Sequence, residues 1–297
     1  MASQPSPMQT KHVLMLILLA AIWGASFLFA RVSAPEFGPI TFSCIRIGIA
    51  AIALSPLLFI HNHWQLLCDN LRLISLVALL NSGLPFILLA YTTLHLSAGV
   101  TSVLNSFVPI FSGVIAHFYL KDHLSRAQSL GLFIGIVGVA ILMSDKLAWS
   151  NHTILPLLAA FLSSFSYAIS ANITKKKLAH IPTRLLASSS MFTAGILLLP
   201  FGIVMWPEQM PSTTAWSAAI AVALLSTAFA YLIFFQLIKE VGPTRTVSVT
   251  LIIPIFGIIW GALFLDEAIT ASIVLGTLVI LAGAYLSLSL NWFARRP

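Results

Sequence analysis

Ten apolar stretches, each long enough to be a membrane helix, fill almost the whole sequence. Only 8% of the 297 residues are charged, whereas a soluble globular chain carries about 25%. A helix that crosses the roughly 30 Å hydrocarbon layer of a bilayer needs about 20 residues. The sequence therefore predicts an all-α polytopic membrane protein with no room for a soluble domain of any size.

Polar residues, prolines and glycines punctuate these stretches and bound the predicted spans. The spans are 13–31, 39–60, 71–93, 97–119, 127–144, 153–174, 184–206, 214–238, 244–265 and 270–291. Strands are excluded, because the runs are too long for tilted transmembrane strands and lack a two-residue alternation. The first run, preceded by Lys11, also has the form of a signal peptide. We expect it to be retained, because it is longer than a usual signal core and the topology requires it.

The distribution of Lys and Arg predicts the orientation of the chain, since cytoplasmic loops carry an excess of both. With a cytoplasmic N-terminus, the outward loops hold only Arg31 and Lys146, and Arg46 lies within the second span. The cytoplasmic segments then hold Lys11, Arg72, Lys121, Arg126, Lys175, Lys176, Lys177, Arg184, Lys239, Arg245, Arg295 and Arg296. We therefore predict that both termini of the chain lie in the cytoplasm.

The sequence also aligns with itself when it is shifted by 145 residues, so that spans three to five match spans eight to ten without a gap. Pro109-Ile110-Phe111 then meets Pro254-Ile255-Phe256, and Gly138 meets Gly283. Each copy has five spans, an odd number, so the second copy enters the bilayer from the opposite side. We predict two inverted five-helix repeats, residues 1–146 and 147–297. Inverted repeats are the symmetry basis of alternating access, which favours a carrier over an enzyme.

Three prolines lie near the middle of spans, where each displaces the carbonyl of the residue four positions earlier. The pairs are Pro85 with Asn81, Pro109 with Asn105, and Pro254 with Thr250. Two interpretations stay open. The polar neighbour satisfies a kinked backbone, or it lines a hydrated cavity in spans three, four and nine. We favour the cavity.

Further polar groups lie at mid-depth, although Ser and Thr in membrane helices more often serve helix packing. They are Trp23, Ser26, Ser163, Ser164, Tyr167, Ser226, Thr227 and Tyr231. Arg46, seven residues after Pro39, is predicted roughly 10 Å below the outer surface. It either pairs with backbone carbonyls and snorkels outward, or attracts a substrate carboxylate or phosphate.

All eight acidic residues fall in loops or at span ends, so no membrane-embedded carboxylate is available to cycle a proton. We interpret His117, in the last turns of span four, as a satisfied histidine near the interface rather than a proton carrier, and facilitated diffusion stays open. Gly24-Ala25-Ser26 resembles a serine-protease motif without a mid-span histidine base, so we predict no catalytic residue. Cys44 and Cys68 indicate neither a disulfide nor a metal site.

Several short segments together resemble the EamA-type family of the drug/metabolite transporter superfamily over residues 13–290. They are Ala21-Ile22-Trp23-Gly24, Arg46, the Pro109 and Pro254 segments, and the helix ends at Asp122 and Asp266-Glu267 followed by Gly131 and Gly276. Lys121-Asp122 stands where the family often has Gly-Glu. The resemblance implies two inverted five-helix repeats around a central cavity lined by helices one, three, four, six, eight and nine. It also implies export of amino acids or related metabolites across a bacterial inner membrane.

We therefore predict a secondary transporter that exports small amphipathic metabolites, with a membrane-embedded enzyme or a non-transporting scaffold as the alternative. The predicted substrate-binding residues are Trp23, Ser26, Arg46, Asn81, Asn105, Pro109, Ser164, Tyr167, Tyr231, Thr250 and Pro254. The expected partners are a small-molecule substrate and the lipid bilayer. We predict no cofactor, no metal and no nucleic acid, and the oligomeric state is left open.

Overall fold

The computed structural model describes residues 9–59, 64–121, 125–144 and 151–293, and these ranges are helical without a β-strand. The α-helices, in chain order, are α1 Thr10–Phe37, α2 Pro39–Leu54, α3 Pro56–Phe59, α4 Trp64–Asp69, α5 Leu71–Ala78, α6 Leu84–His95, α7 Ala98–Asn105, α8 Val108–Leu120, α9 Arg126–Leu142, α10 Asn151–Lys177, α11 Thr183–Val204, α12 Thr213–Ala223, α13 Ala230–Val241, α14 Pro243–Val247, α15 Ile253–Leu265 and α16 Ala271–Phe293.

Seven helical stretches of the described chain are long and apolar enough to cross a membrane. They are Thr10–Phe37, Leu71–His95, Ala98–Leu120, Ile154–Lys177, Thr183–Val204, Thr213–Val241 and Arg245–Leu265. Three shorter apolar helices, Pro39–Leu54, Arg126–Leu142 and Ala271–Ser287, occupy the positions of the other predicted spans. The all-α polytopic class predicted from the sequence is thus confirmed. The bounds differ most in α1, which runs six residues past its predicted end and contains Pro35, and in α2, which ends six residues before its predicted end.

The distribution of side chains is the reverse of that in a soluble protein. Large apolar side chains point outward, with Ile52 75%, Phe118 78% and Val204 82% exposed. Serines and threonines are instead buried between helices and donate to backbone carbonyls, as Ser33 does to Ala215 O at 2.8 Å. An apolar exterior of this extent is stable only in contact with lipid, where every backbone polar group must be satisfied inside the protein.

Four of the predicted spans contain a break in the α-helix, and two of these breaks are π-turns that sequence patterning did not predict. A π-helical turn at Leu79–Gly83 separates α5 from α6, and a second at Leu224–Phe229 separates α12 from α13. Pro109 and Pro254 each lie at the second position of a helix, α8 and α15. Because proline has no N–H to donate, the helix before each of these prolines ends and a new one begins.

Serines of α10 donate to two carbonyls beside these breaks. Ser166 Oγ donates to the Leu80 carbonyl at 2.8 Å, and Ser164 Oγ donates to the Leu104 carbonyl at 3.3 Å. Each carbonyl belongs to the residue five positions before a proline, Pro85 or Pro109. At Leu80 the Ser166 hydroxyl replaces the backbone N–H that Pro85 lacks, whereas the Leu104 carbonyl also accepts from the Phe107 N–H at 3.2 Å. A side chain of another helix thus lets the chain depart from α-helix at the first π-turn.

The irregular positions of the two halves correspond at the 145-residue shift. The π-turns begin at Leu79 and Leu224. The non-glycine residues of the described chain with positive φ are Lys121 at 58° and Asp266 at 53°, each directly after the last residue of α8 or α15. Asp122, the acidic residue predicted at the first of these helix ends, lies outside the described residues.

Helices α9 and α16 run antiparallel with their backbones in contact, and the contact is reciprocal. A Cβ on Gly131 would lie 2.5 Å from the Gly283 carbonyl, and a Cβ on Gly283 would lie 2.6 Å from the Gly131 carbonyl. Farther along, Gly138 faces Ile280 and Gly276, and Gly276 faces Leu142. Glycines thus permit the two helix backbones to approach closely.

We predict that Gly276→Ala destabilises the protein, because the new Cβ would lie 2.7 Å from the backbone of Leu142. Overpacking of this kind costs about 1–3 kcal/mol, against a gain of up to about 1 kcal/mol in helix propensity. Thermal unfolding in detergent should show a lower midpoint. Gly48→Ala in α2 is the matched control, since no atom lies within 4 Å of its Cβ position. A Gly276→Ala midpoint at or above that of Gly48→Ala would contradict this packing.

Candidate functional site

Arg46 lies at the centre of a buried cluster that both halves of the chain build. The side chain projects from the middle of α2 and is 8% exposed. Its Nε donates to Thr227 Oγ1 at 3.0 Å, and its guanidinium carbon lies 3.7 Å from the centroid of the Phe86 ring. Two contacts of different kinds, a hydrogen bond and a stacked ring, therefore fix the plane of the guanidinium.

Two tyrosines from the second half lie within electrostatic range of this guanidinium, Tyr167 on α10 and Tyr231 on α13. The Tyr231 hydroxyl accepts a weak hydrogen bond from Asn81 Nδ2 at 3.5 Å, and its ring stacks on Phe235 with centroids 5.6 Å apart. Asn81 lies in the first π-turn. Four of the predicted site residues therefore lie close together in the structure: Arg46 of α2, Asn81 of the first π-turn, Tyr167 of α10 and Tyr231 of α13.

Trp23 borders the cluster through shared apolar neighbours. It packs with Tyr167 against the same group of buried residues of α1, α13 and α15, and its ring centroid lies 5.3 Å from that of Phe234. Ser26, by contrast, donates to the Trp23 carbonyl of its own helix at 2.6 Å. Trp23 therefore presents an aromatic surface to the site, whereas the Ser26 hydroxyl is used within α1.

The remaining predicted site residues lie at the breaks of spans four and nine. Asn105, partly buried at the end of α7, has a buried Oδ1 without a hydrogen-bond partner among the described residues. The Thr250 hydroxyl donates to the Val247 carbonyl at 2.9 Å. Pro109 and Pro254 are buried at these breaks, and Ser164, buried on α10, donates to the Leu104 carbonyl beside the break of span four. All eleven predicted site residues are buried or half-buried.

Two residues of the cluster were not among the predicted site residues. Phe86 supplies the ring under the guanidinium, and Thr227 supplies its fixed acceptor. Sequence patterning marked Thr227 as a mid-depth polar residue, but a phenylalanine in an apolar span carries no distinguishing signal. Only the fold, which places α6 and the second π-turn against α2, identifies the pair.

One end of the molecule is sealed between α7 and α15. The Glu267 carboxylate accepts from the backbone N–H of Ala98 at 2.6 Å and of Gly99 at 3.1 Å. These are the first two residues of α7, whose N–H groups have no acceptor within the helix. Gly257 lies against Ser102, and Gly99 lies against Ile258. A carboxylate at a helix N-terminus gains both charge-assisted hydrogen bonds and a favourable interaction with the helix dipole.

The matched elements at the opposite end, α8 and α14, do not pack on each other in this way within the described residues. Ser112, which matches Gly257, instead accepts a hydrogen bond from Asn172 of α10 at 3.1 Å. An apolar groove of about 540 Å³ lies at this end, between α5, α8 and α10, and it opens on the lipid-facing surface, where Phe118 is 78% exposed. Its lining includes Leu73, Val114, Phe118, Phe165, Ile169 and Lys177. The Glu267 contact therefore closes the α7 end; Asp122, which matches Glu267 at the other end, lies outside the described residues.

The comparisons with known proteins agree with this architecture. The model of the EamA-like transporter family matches the chain twice, at residues 10–144 and 154–289. The uncharacterized transporter YoaV of Bacillus subtilis is 26% identical over 285 residues, which cover 93% of this chain and 96% of that protein. A probable amino-acid metabolite efflux pump of Escherichia coli is 22% identical, with 96% of this chain and 97% of that protein covered.

A solved crystal structure has the same fold, with a TM-score of 0.65 at 12% identity over 97% of this chain and 100% of that chain. The two matches of the family model together span more than half of the sequence. The chain therefore belongs to the EamA-like transporter family.

Proposed function

We propose that this chain is a secondary transporter that exports amino acids or related amphipathic metabolites across the bacterial inner membrane by alternating access. The observation that carries the proposal is the buried cluster of Arg46, Asn81, Tyr167, Thr227 and Tyr231, built from both halves of the chain. Polar groups this far inside a membrane protein are costly unless they serve a substrate path. The relative named as a probable amino-acid metabolite efflux pump supports the substrate class.

In this proposal ten helices cross the membrane as two inverted repeats, residues 1–146 and 147–297. The reciprocal contact of α9 with α16 supports the inversion, because matched helices that pack antiparallel through matched glycines are related by a pseudo-twofold axis. The helix breaks that recur at the same shift and the double match of the family model support two copies. Transporter folds commonly have their binding sites at such repeat interfaces, beside discontinuous helices.

The Glu267 contact, which closes the α7 end, supports a conformation that faces the cytoplasm. The Lys and Arg distribution assigns the α8 end, with Lys121 and Lys177, to the cytoplasm and the α7 end to the outside. Exchange of the two ends would release Glu267 from α7 and bring α8 against α14. Such an exchange alternates access while the central cluster stays at the interface of the repeats.

Transport itself is testable in proteoliposomes loaded with unlabelled leucine or phenylalanine. We expect counterflow of the labelled amino acid without ATP. Tyr231→Ala should reduce it about tenfold or more, because a polar contact worth about 1–3 kcal/mol is lost. The matched control is Tyr285→Ala, since Tyr285 lies on α16 and is 60% exposed. Counterflow equal to that of empty vesicles for a broad panel of amino acids, from a protein with unchanged thermal stability, would refute the proposal.

The Glu267 contact generates a prediction about accessibility. Glu267→Gln removes the charge from two hydrogen bonds and should shift the equilibrium toward the outward-open state about tenfold. In a chain with Cys44 and Cys68 replaced by serine, Asn105→Cys should then react faster with an impermeant maleimide added from outside. Glu208→Gln is the control, because Glu208 is exposed in the loop before α12. Equal outside labelling rates in the two variants would show that Glu267 does not hold this end closed.

A further inference from the structure

We infer that Arg46 forms a carboxylate subsite, so that the transporter selects metabolites with a carboxylate and an apolar or aromatic side chain and discriminates against cations. The inference rests on the proposed function and specifies its substrate class. The starting observation is that the positive charge of Arg46 is not neutralised by any carboxylate in the described part of the chain.

The guanidinium of Arg46 has no counter-ion in the described part of the chain. The carboxylate of Glu240 pairs with Lys11 at 3.0 Å and contacts His12 at 2.7 Å, and Glu267 binds the start of α7. Glu36 accepts from Ser212 at the far end of α1. Transfer of a cation from water to a protein interior costs several kcal/mol unless a partner compensates it. An anionic ligand is the compensation that the site lacks.

The hydrogen-bonding geometry leaves the correct atoms available. Nε is occupied by Thr227, and the ring of Phe86 covers one face of the guanidinium. The two terminal nitrogens donate to no acceptor in the described residues, and they are not among its fully enclosed polar atoms without a partner. The two terminal nitrogens of Arg46 are therefore accessible to a ligand. Two parallel N–H donors in one plane match the two oxygens of a carboxylate.

The surroundings of the guanidinium favour a singly charged, partly apolar anion. Its electrostatic neighbours are the tyrosines 167 and 231 rather than a second cation, so one negative charge is balanced but a phosphate dianion is not. Phe235 and the ring of Tyr231 extend the site with aromatic surface. An ammonium group finds only neutral acceptors there, the tyrosine hydroxyls and the Asn81 carbonyl. A net cation therefore meets the Arg46 charge without compensation.

The test uses three-membered sets of ligands that differ only in charged groups. One set is phenylalanine, 3-phenylpropionate and 2-phenylethylamine, and the other is leucine, 4-methylpentanoate and 3-methylbutylamine. The readout is the thermal shift of the full chain in detergent, because a ligand that binds the folded state raises the unfolding midpoint. We expect concentration-dependent stabilisation by the four carboxylates, with the amines at least about tenfold weaker.

Two variants of Arg46 separate charge from geometry. Arg46→Gln should abolish the preference for carboxylates. Arg46→Lys should keep the sign of the preference but weaken binding about tenfold, because an ammonium loses the bidentate fork. Because a substitution at Arg46 could destabilise the fold, the thermal unfolding midpoint of each variant without ligand is first compared with that of the wild type. Counterflow by the wild-type protein with amines in place of amino acids is a second measurement that needs no variant. Arg31→Gln removes the same charge at a residue that donates to the Thr93 carbonyl, and it should leave the preference intact.

The outcomes distinguish the subsite from the transport function. Amines that bind or exchange as well as carboxylates, or a preference that survives Arg46→Gln, would overturn the subsite while leaving transport in place. Carboxylate-selective stabilisation without any counterflow would overturn transport while leaving the subsite. Absence of stabilisation by every carboxylate in both sets would also overturn the subsite.

Discussion

The requirement that every backbone polar group find a partner inside the protein determines most of this structure. In hydrocarbon an unpaired carbonyl costs several kcal/mol, so helices can be interrupted only where a side chain or water replaces the lost donor. Ser166 of α10 meets this requirement at the Leu80 carbonyl, in the break before Pro85. The interruptions therefore lie in the interior, and the same interior holds the polar cluster around Arg46. The helix breaks and the candidate site thus have one physical origin.

Arg46 places a positive charge in that interior. Thr227 and Phe86 hold the guanidinium in one orientation, and orienting a donor before a ligand arrives reduces the ordering cost of binding. Phe86 lies in α6, directly after the first π-turn, and Thr227 lies within the second, and the two π-turns occur at matched positions of the two halves. Movement of one half against the other would therefore act directly on the geometry of the site. This arrangement links ligand binding to the exchange between the two ends, provided that the ligand interacts differently with the two states.

Local patterns in the sequence predicted the helical membrane class, the position of the spans, and the mid-span prolines with a polar residue four positions earlier. They could do so because the length of an apolar stretch and the chemistry of proline are properties of short segments. They also placed Asn81, Tyr167, Tyr231 and Arg46 at mid-depth, and the fold brings these residues together. The π-turns, the Phe86 contact and the capping of α7 by Glu267 depend on which helices are neighbours, and no short segment contains that information. Ser26 and Thr250 show the opposite limit, since their hydroxyls bond to carbonyls of their own segments. Whether the eleven predicted residues bind a substrate stays a prediction.

The central claim, that two inverted halves exchange access around the Arg46 cluster, is tested most directly by distances at both ends of one molecule. Spin labels at His95 and Ile269 report on the sealed end, and labels at Phe118 and Lys239 report on the other end; all four side chains are exposed. Pulsed electron paramagnetic resonance with saturating phenylalanine or leucine should show a population in which the first distance is longer and the second is shorter. Unchanged distances in both pairs, or changes of the same sign, would contradict the account.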